Sequence, residues 1–274
     1  MAAHTWCWVA LACALAALAG IVACVVQARM TIDCAVAQAD AGERPAYVPS
    51  TVLVAPRRAH EALYRLVDRF WRDVLAPAGC ADRAWLTSGS LLGWERHAGT
   101  IIPWDDDVDL ACPADDAARI ADAARAAGWG VRRLLCFYKF APPDVREAGW
   151  LATRLGTAGD EIDLFPMEPR RAADGELWWE NPCAHFARER YRDADLWPLR
   201  DVAFGTAPSV RVPKNSGPFL RSAYGARWRT RAKAGVTAYH AAHPAMGRAP
   251  PRLWAGLAYI NPLLCDVGFT LPSR

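Results

Sequence analysis

Apolar positions recur at helical spacing soon after Pro56. Leu63, Leu66, Val67, Phe70, Trp71 and Val74 fall at i, i+3, i+4, i+7, i+8 and i+11, which predicts an amphipathic helix stopped by Pro77 to Gly79. Ala84 to Thr87 reads as a short strand, followed by Ser88-Gly89-Ser90. Leu91 to His97 reads as a short helix ended by Gly99. Asp107 to Ala111 alternates with period two, as a strand does. Ala114 to Ala127 is an Ala-rich helix with Gly128 at its C-terminal cap. Val131 to Phe140 and Glu161 to Phe165 are further strands. Strands interleaved with helices predict an α/β or α+β fold around a mixed sheet.

Ahead of this pattern, Trp6 to Val26 runs without a charge. About 20 apolar residues cross a bilayer core, whereas a cleaved signal peptide carries roughly 7–15. The length therefore predicts an uncleaved transmembrane signal-anchor at 6–26 behind a short tail at 1–5. Ala37-Gln38-Ala39 is a competing cleavage signal. No Lys or Arg precedes the span and Arg29 follows it, which by charge alone puts the C-terminal part inside. A short tail before one span equally suits a type II anchor. Residues 27–55, with Gly42, Pro45 and Pro49 and no periodicity, read as a stem. Residues 56–274 are left for one folded domain.

Composition narrows the class. With 53% apolar and 22% charged residues among 274, the chain is neither disordered nor of low complexity. A single span excludes a polytopic membrane protein. A formal charge of +3 gives no case for nucleic acid as a partner. Eleven of the 13 Trp lie outside the span, so the folded part buries a substantial core. Five cysteines, Cys80, Cys112, Cys136, Cys183 and Cys265, fall in that part without a CxxC pair, which argues against a zinc ribbon. One or two disulfides are allowed and none is required. No Asn opens a glycosylation sequon.

The run Asp105-Asp106-Asp107-Val108-Asp109 carries the chemistry. On a strand Asp107 and Asp109 share one face while Val108 and Leu110 enter the core. Two such carboxylates repel, and a divalent cation cancels the repulsion. Mg²⁺ favours one or two carboxylates plus phosphate oxygens, so the pair suits phosphate chemistry. Three other readings stay open: a solvated turn, an EF-hand loop and a DxD glycosyltransferase site using a sugar nucleotide. The EF-hand reading puts Leu110 where Gly is needed and Asp116 where Glu is needed. Gly89 permits close backbone approach, and Ser90 can donate near a helix N-terminus, which suits a phosphate. Gly-Ser followed by Asp-apolar-Asp-apolar is a nucleotidyltransferase arrangement.

Together, Gly89-Ser-Leu-Leu-Gly93, Arg96-His97 and Ile102-Pro-Trp-Asp-Asp-Asp-Val-Asp109 closely resemble the LicD/fukutin family. Phe137-Tyr-Lys139, Ile162-Asp-Leu-Phe-Pro166, Phe204-Gly205, Val212-Pro-Lys-Asn215 and Tyr224-Gly225 with Trp228 follow in the family's order. The resemblance covers about residues 60–230. It implies a nucleotidyltransferase-like fold and transfer of phosphocholine or ribitol phosphate from a CDP-linked donor to a glycan or glycoprotein hydroxyl, releasing CMP. It implies that Asp107 and Asp109 form a metal pair for Mg²⁺ or Mn²⁺, with Asp163 as the third catalytic carboxylate. Asp105 and Asp106 become turn or outer groups. Gly89, Ser90, Arg96 and His97 become donor contacts, and Lys139 and Lys214 phosphate contacts. Joined to the anchor, the resemblance implies a type II Golgi membrane protein with a lumenal domain; a secreted or plasma-membrane protein is the alternative. A catalytically silent glycan- or partner-binding member is the rival class.

Three further features bear on that expectation. From Phe186 to Lys233 there are 11 Lys or Arg against four Asp or Glu, an excess that suits an anionic donor. Trp94, Trp104 and Tyr138 are candidates for a cage around a choline cation. His240 and His243 lack a third metal ligand nearby. The chain departs from the family at Ser90, often Thr there, and at Ser216-Gly217-Pro218, where an acidic helix start is usual. Residues 231–274 match no pattern.

Overall fold

The computed structural model describes residues 18–20, 57–103, 105, 107–143, 161–183, 186–234 and 267–271. Apart from 18–20, the predicted span and the stem lie outside the described residues, as do Trp104, Asp106, His240, His243 and Cys265. Among the described residues, no helix is long and apolar enough to cross a membrane.

The predicted first helix is α1 (Arg57–Phe70), prolonged by a π-helical turn through Trp71–Leu75. It buries Leu63, Leu66, Val67, Phe70, Trp71 and Val74, the positions picked out by their spacing. Then follow β1 (Trp85–Leu86), α2 (Ser88–Arg96), β2 (Val108–Pro113), α3 (Ala114–Ala126), β3 (Gly130–Arg133), β4 (Tyr138–Ala141) and β5 (Ile162–Arg171). The chain continues through β6 (Leu177–Glu180), β7 (Arg190–Arg192), α4 (Asp193–Leu196), β8 (Arg200–Phe204), β9 (Ala207–Val212), α5 (Gly217–Tyr224), β10 (Arg231–Ala234) and β11 (Val267–Thr270).

The main sheet runs β1-β2-β5-β4-β3, and β6 and β7 extend it from the far half of β5. Among the described residues only β2 and β5 pair in parallel; β1–β2, β4–β5 and β3–β4 are antiparallel. The fold is thus a mixed α+β arrangement, within the predicted class.

Register sorts the sheet into rows. Val108, Ile162, Phe140 and Val131 are cross-strand partners on one face. Phe140 meets Phe70 of α1 at 5.0 Å between rings, so this face carries the core. One residue along, Asp109, Asp163, Lys139 and Arg132 form a row on the opposite face. A slip of one residue would exchange the two rows and bury the charged one, so the apolar pattern fixes where the carboxylates meet.

Three predicted boundaries differ. Val131 to Phe140 is a hairpin, not one strand. Leu134 N–H bonds the Phe137 carbonyl at the reversal, leaving Leu135 91% exposed. No Gly, Pro or Asn marks that turn, so period-two patterning ran through it. Helix α2 begins at Ser88, three residues early, so Gly89 and Ser90 lie in its first turn and not ahead of it. Strand β5 runs on to Arg171, since its second half finds β6 as partner.

Cys136 in the hairpin is disulfide-bonded to Cys183, 47 residues away, with Cα atoms 5.6 Å apart. Cys80 and Cys112 are buried free thiols. Closing a loop of that length restricts the unfolded chain by about 4 kcal/mol in the chain-entropy account. Replacing both Cys136 and Cys183 by Ala should therefore lower the denaturant midpoint and steepen the denaturant dependence, because the opened chain exposes more surface when unfolded. An unchanged midpoint would mean that the bridge adds no stability.

Candidate active site

Asp109 and Asp163 meet because β2 and β5 run side by side in register. Asp107 stands one residue before β2, on the same face as Asp109. One carboxylate oxygen from each of the three lies within 4.8 Å of the others. Asp109 and Asp163 are buried, and Asp107 is half-buried.

Helix α2 holds Asp109 in place. The Gly89 N–H donates to Asp109 Oδ2 at 2.9 Å, and the Asp109 N–H donates to Ser90 Oγ at 2.8 Å. The Thr87 N–H bonds the Asp109 carbonyl at 3.1 Å, which joins β1 to β2. The Gly-Ser pair thus orients a carboxylate, and Ser90 accepts where the sequence suggested that it donates.

On the other side, Lys139 Nζ bonds Asp163 Oδ1 at 2.6 Å and approaches Glu161 at 3.6 Å. Arg132 pairs with Glu161. Burial lifts Asp109 well above the usual carboxylate range, reinforced by repulsion from Asp107, Asp163, Asp105 and Glu189. Burial also raises Asp163, and Lys139 only partly offsets it. Burial alone would lower the Lys139 ammonium, but Asp163, Glu161 and Asp107 outweigh it and hold it above its ordinary value. The acids exceed their nearby cation, an imbalance that a bound divalent ion would correct. Mg²⁺–oxygen bonds are about 2.1 Å, so ligands of one ion lie within roughly 4.2 Å of each other. Three carboxylate oxygens already within 4.8 Å of one another make a donor set that fits such an ion.

Residues 81–215 match the family profile described as LicD/FKTN/FKRP, nucleotidyltransferase domain. Over those residues, just under half of its length, the chain is similar to the LicD/fukutin family. It is 46% identical over 186 residues to ribitol 5-phosphate transferase FKRP of Mus musculus, covering 68% of this chain and 35% of that one. It is 28% identical over 158 residues to the Homo sapiens protein of the same name, covering 57% and 30%. The chain therefore spans about a third of the length of the curated relatives it matches. The lincomycin-bound lincosamide antibiotic adenylyltransferase LnuA shares 11% identity, covering 69% of this chain and 96% of its own, with a TM-score of 0.36. That score is too low to argue from.

The other motif residues take varied places. The Arg96 Nε donates to His97 Nε2 at 3.0 Å, and its Nη1 to the Trp228 and Arg231 carbonyls. His97 is buried at the end of α2. In this structure the pair ties α2 to the chain around 228–231. Lys139 enters the acidic row itself. Lys214 is exposed and makes no side-chain ion pair among the described residues; its N–H bonds the Leu196 carbonyl. Asp105 closes a turn through its N–H to the Ile102 carbonyl, and His60 contacts its carbonyl. Part of the basic excess of 186–233 meets acids outside that stretch, Arg190 pairing with Glu180, Arg211 with Asp82 and Arg229 with Glu95, while Arg192 pairs with Asp195 and Arg211 with Asp201 inside it. Trp94 and Tyr138 already carry Arg200 and Arg133 over their rings.

Sequence reasoning missed Glu161, which shares Lys139, and Glu189, which bonds Ser88. Glu189 sits between Arg188 and Arg190 and reads as surface charge. Its one signal is the period-two relation to Tyr191, which is also buried.

Proposed function

We propose that this chain transfers a phosphorylated alcohol, ribitol phosphate being the first candidate, from a CDP-linked donor to a glycan hydroxyl. The acceptor oxygen bonds the outer phosphorus of the donor, and CMP leaves with the bridging oxygen. The observation that carries this reading is the convergence of Asp107, Asp109 and Asp163 within 4.8 Å. The family resemblance supports it, as do the printed names of the two relatives. A Mg²⁺ or Mn²⁺ ion held by these three acids would neutralise charge on the phosphates. Gly89 and Ser90 keep the Asp109 carboxylate aimed, and Lys139 does the same for Asp163. Phosphoryl transfer needs mainly positioning and charge neutralisation, so no covalent nucleophile is required.

Incubation with CDP-ribitol, CDP-choline and CDP-glycerol, a glycan acceptor and Mg²⁺ should release CMP, and EDTA should stop it. Turnover that survives EDTA would overturn the metal reading. Preferential binding of a UDP-hexose would favour a glycosyltransferase instead.

The raised carboxylates make a second measurement available. In the cation-free fold Asp109 and Asp163 lose their protons at a higher pH than the ordinary carboxylates of the unfolded chain do. Their stabilising contribution is complete below the unfolded value and is lost as pH rises through the folded ones. The cation-free melting temperature should therefore fall as pH rises from the ordinary carboxylate range through the raised values of the folded state, and Mg²⁺ should recover more at the upper end. An equal Mg²⁺ response at both ends would count against carboxylate ligation.

For location we propose an anchored, lumenal catalytic domain in the Golgi. Protease treatment of sealed vesicles should spare a C-terminal tag; digestion without detergent would place the domain in the cytosol.

A further inference from the structure

Four consecutive residues at the start of α2 are each tied by a side chain or amide to a distant part of the chain. Thr87 Oγ1 and the Tyr191 hydroxyl share a hydrogen bond of 2.8 Å, and Ser88 Oγ donates to Glu189 Oε2 at 2.6 Å. Both contacts are buried, and they span 104 and 101 residues. The next two residues, Gly89 and Ser90, are bonded to Asp109. One side of the turn is therefore gripped by 189–191 and the other grips the acid.

The link between the two halves is Ser88, whose φ is +43°. An L residue leaves that left-handed region unless its surroundings hold it there. A bond from its hydroxyl to a carboxylate is a charge-assisted one, stronger than a neutral pair. The base beneath it is rigid. Tyr191 stacks on Phe219 at 4.1 Å between rings and meets Trp85 edge-on at 5.8 Å. Released from Glu189, Ser88 would relax towards negative φ and turn the Gly89 N–H away from Asp109 Oδ2.

We infer that Glu189 is a positioning residue of the carboxylate site: through Ser88 it sets the turn whose amide aims Asp109. The inference rests on the reading of Asp107, Asp109 and Asp163 as the reacting centre. Glu189 touches no substrate in this role, and its carboxylate oxygen matters as an acceptor for Ser88.

The test is amide hydrogen exchange in the full chain, with Mn²⁺ alone as the binding probe. Glu189→Ala and Ser88→Ala should each speed exchange at the Gly89 and Asp109 amides about tenfold or more, relative to Val210 in β9. The double variant should add nothing further, because both changes cut one link. Glu189→Gln keeps an oxygen acceptor and should retain most of the protection. Mn²⁺ affinity should follow the same order, falling about tenfold in the two Ala variants. Unchanged exchange at Gly89 and Asp109, additive effects in the double variant, or equal acceleration at Val210 would overturn the inference. Should Glu189→Ala fail to fold, Ser88→Ala and Glu189→Gln still decide it. A wild-type chain that binds no Mn²⁺ would sink the metal reading, while exchange at Gly89 and Asp109 would still judge the role of Glu189.

Discussion

Asp109→Asn should make the cation-free protein more stable and the enzyme about a thousandfold slower. The two effects have one cause. Asp109 is buried among Asp107, Asp163, Asp105 and Glu189, all of which oppose its charge. At a pH where Asp109 is ionised in the fold, removing that charge relieves repulsion of roughly 1 kcal/mol, which in a domain of this size raises the melting temperature by about 2–4 °C. The Asn carbonyl still accepts from the Gly89 N–H, and its amide finds acceptors in the neighbouring acids, so the local fold survives. A thousandfold loss is roughly 4 kcal/mol of transition-state stabilisation, a plausible share for one of three cation ligands. Thermal melts in EDTA and CMP-release assays in Mg²⁺ test both halves. Activity within tenfold of wild type, or a lower melting temperature, would remove Asp109 from the centre of the mechanism.

Gly205→Ala should destabilise the protein by about 3–5 kcal/mol. Gly205 has φ +55°, where a Cβ alone costs roughly 1 kcal/mol. That Cβ would also land inside the ring of Tyr64. Tyr64 cannot simply swing aside. It is buried, packs edge-on against Phe204 at 5.4 Å, and its hydroxyl accepts the Ile101 N–H at 3.0 Å. Moving it adds overpacking of about 1–3 kcal/mol and leaves the buried Ile101 amide unsatisfied. The melting temperature should fall by roughly 10 °C. Gly175→Ala is the control: its φ is +85° and nothing lies within 4 Å of the added carbon. It should cost only the backbone penalty, and similar losses at both sites would show that Tyr64 does not resist. Because Ile101 leads directly into the acidic run, Gly205→Ala should also reduce turnover.

What could be read from the chain follows from how local each signal is. The spacing of Leu63, Leu66, Val67, Phe70, Trp71 and Val74 reports a buried helix face that needs only a nearby core. Alternation at Asp107 to Ala111 likewise announces β2. The convergence of Asp163 with Asp109 is different: nothing in Glu161-Ile162-Asp163-Leu164 says which strand lies beside it. Only the ordered motifs of the family pointed there. The ties at Thr87 and Ser88 were out of reach, since their partners lie more than 100 residues on in a stretch that looks like solvated charge. The 131–140 hairpin was hidden because its turn is made by Leu134 to Phe137, residues with no turn preference. Arg96 shows another limit: its place in a motif is legible, but the Trp228 and Arg231 carbonyls it meets more than 130 residues on are not.

The parallel pairing of β2 with β5 also says when the site comes into being. Parallel neighbours cannot be joined by a tight turn, and here α3 and the β3–β4 hairpin intervene between the two strands. Loop closure over that distance is slow and is entropically repaid only at the end. Asp107 and Asp109 are therefore synthesised before their third partner, Asp163. In the meantime their repulsion works against the last strand docking. A cation present during refolding would relieve that repulsion as the strands meet, so it would act as a folding partner as well as a working one.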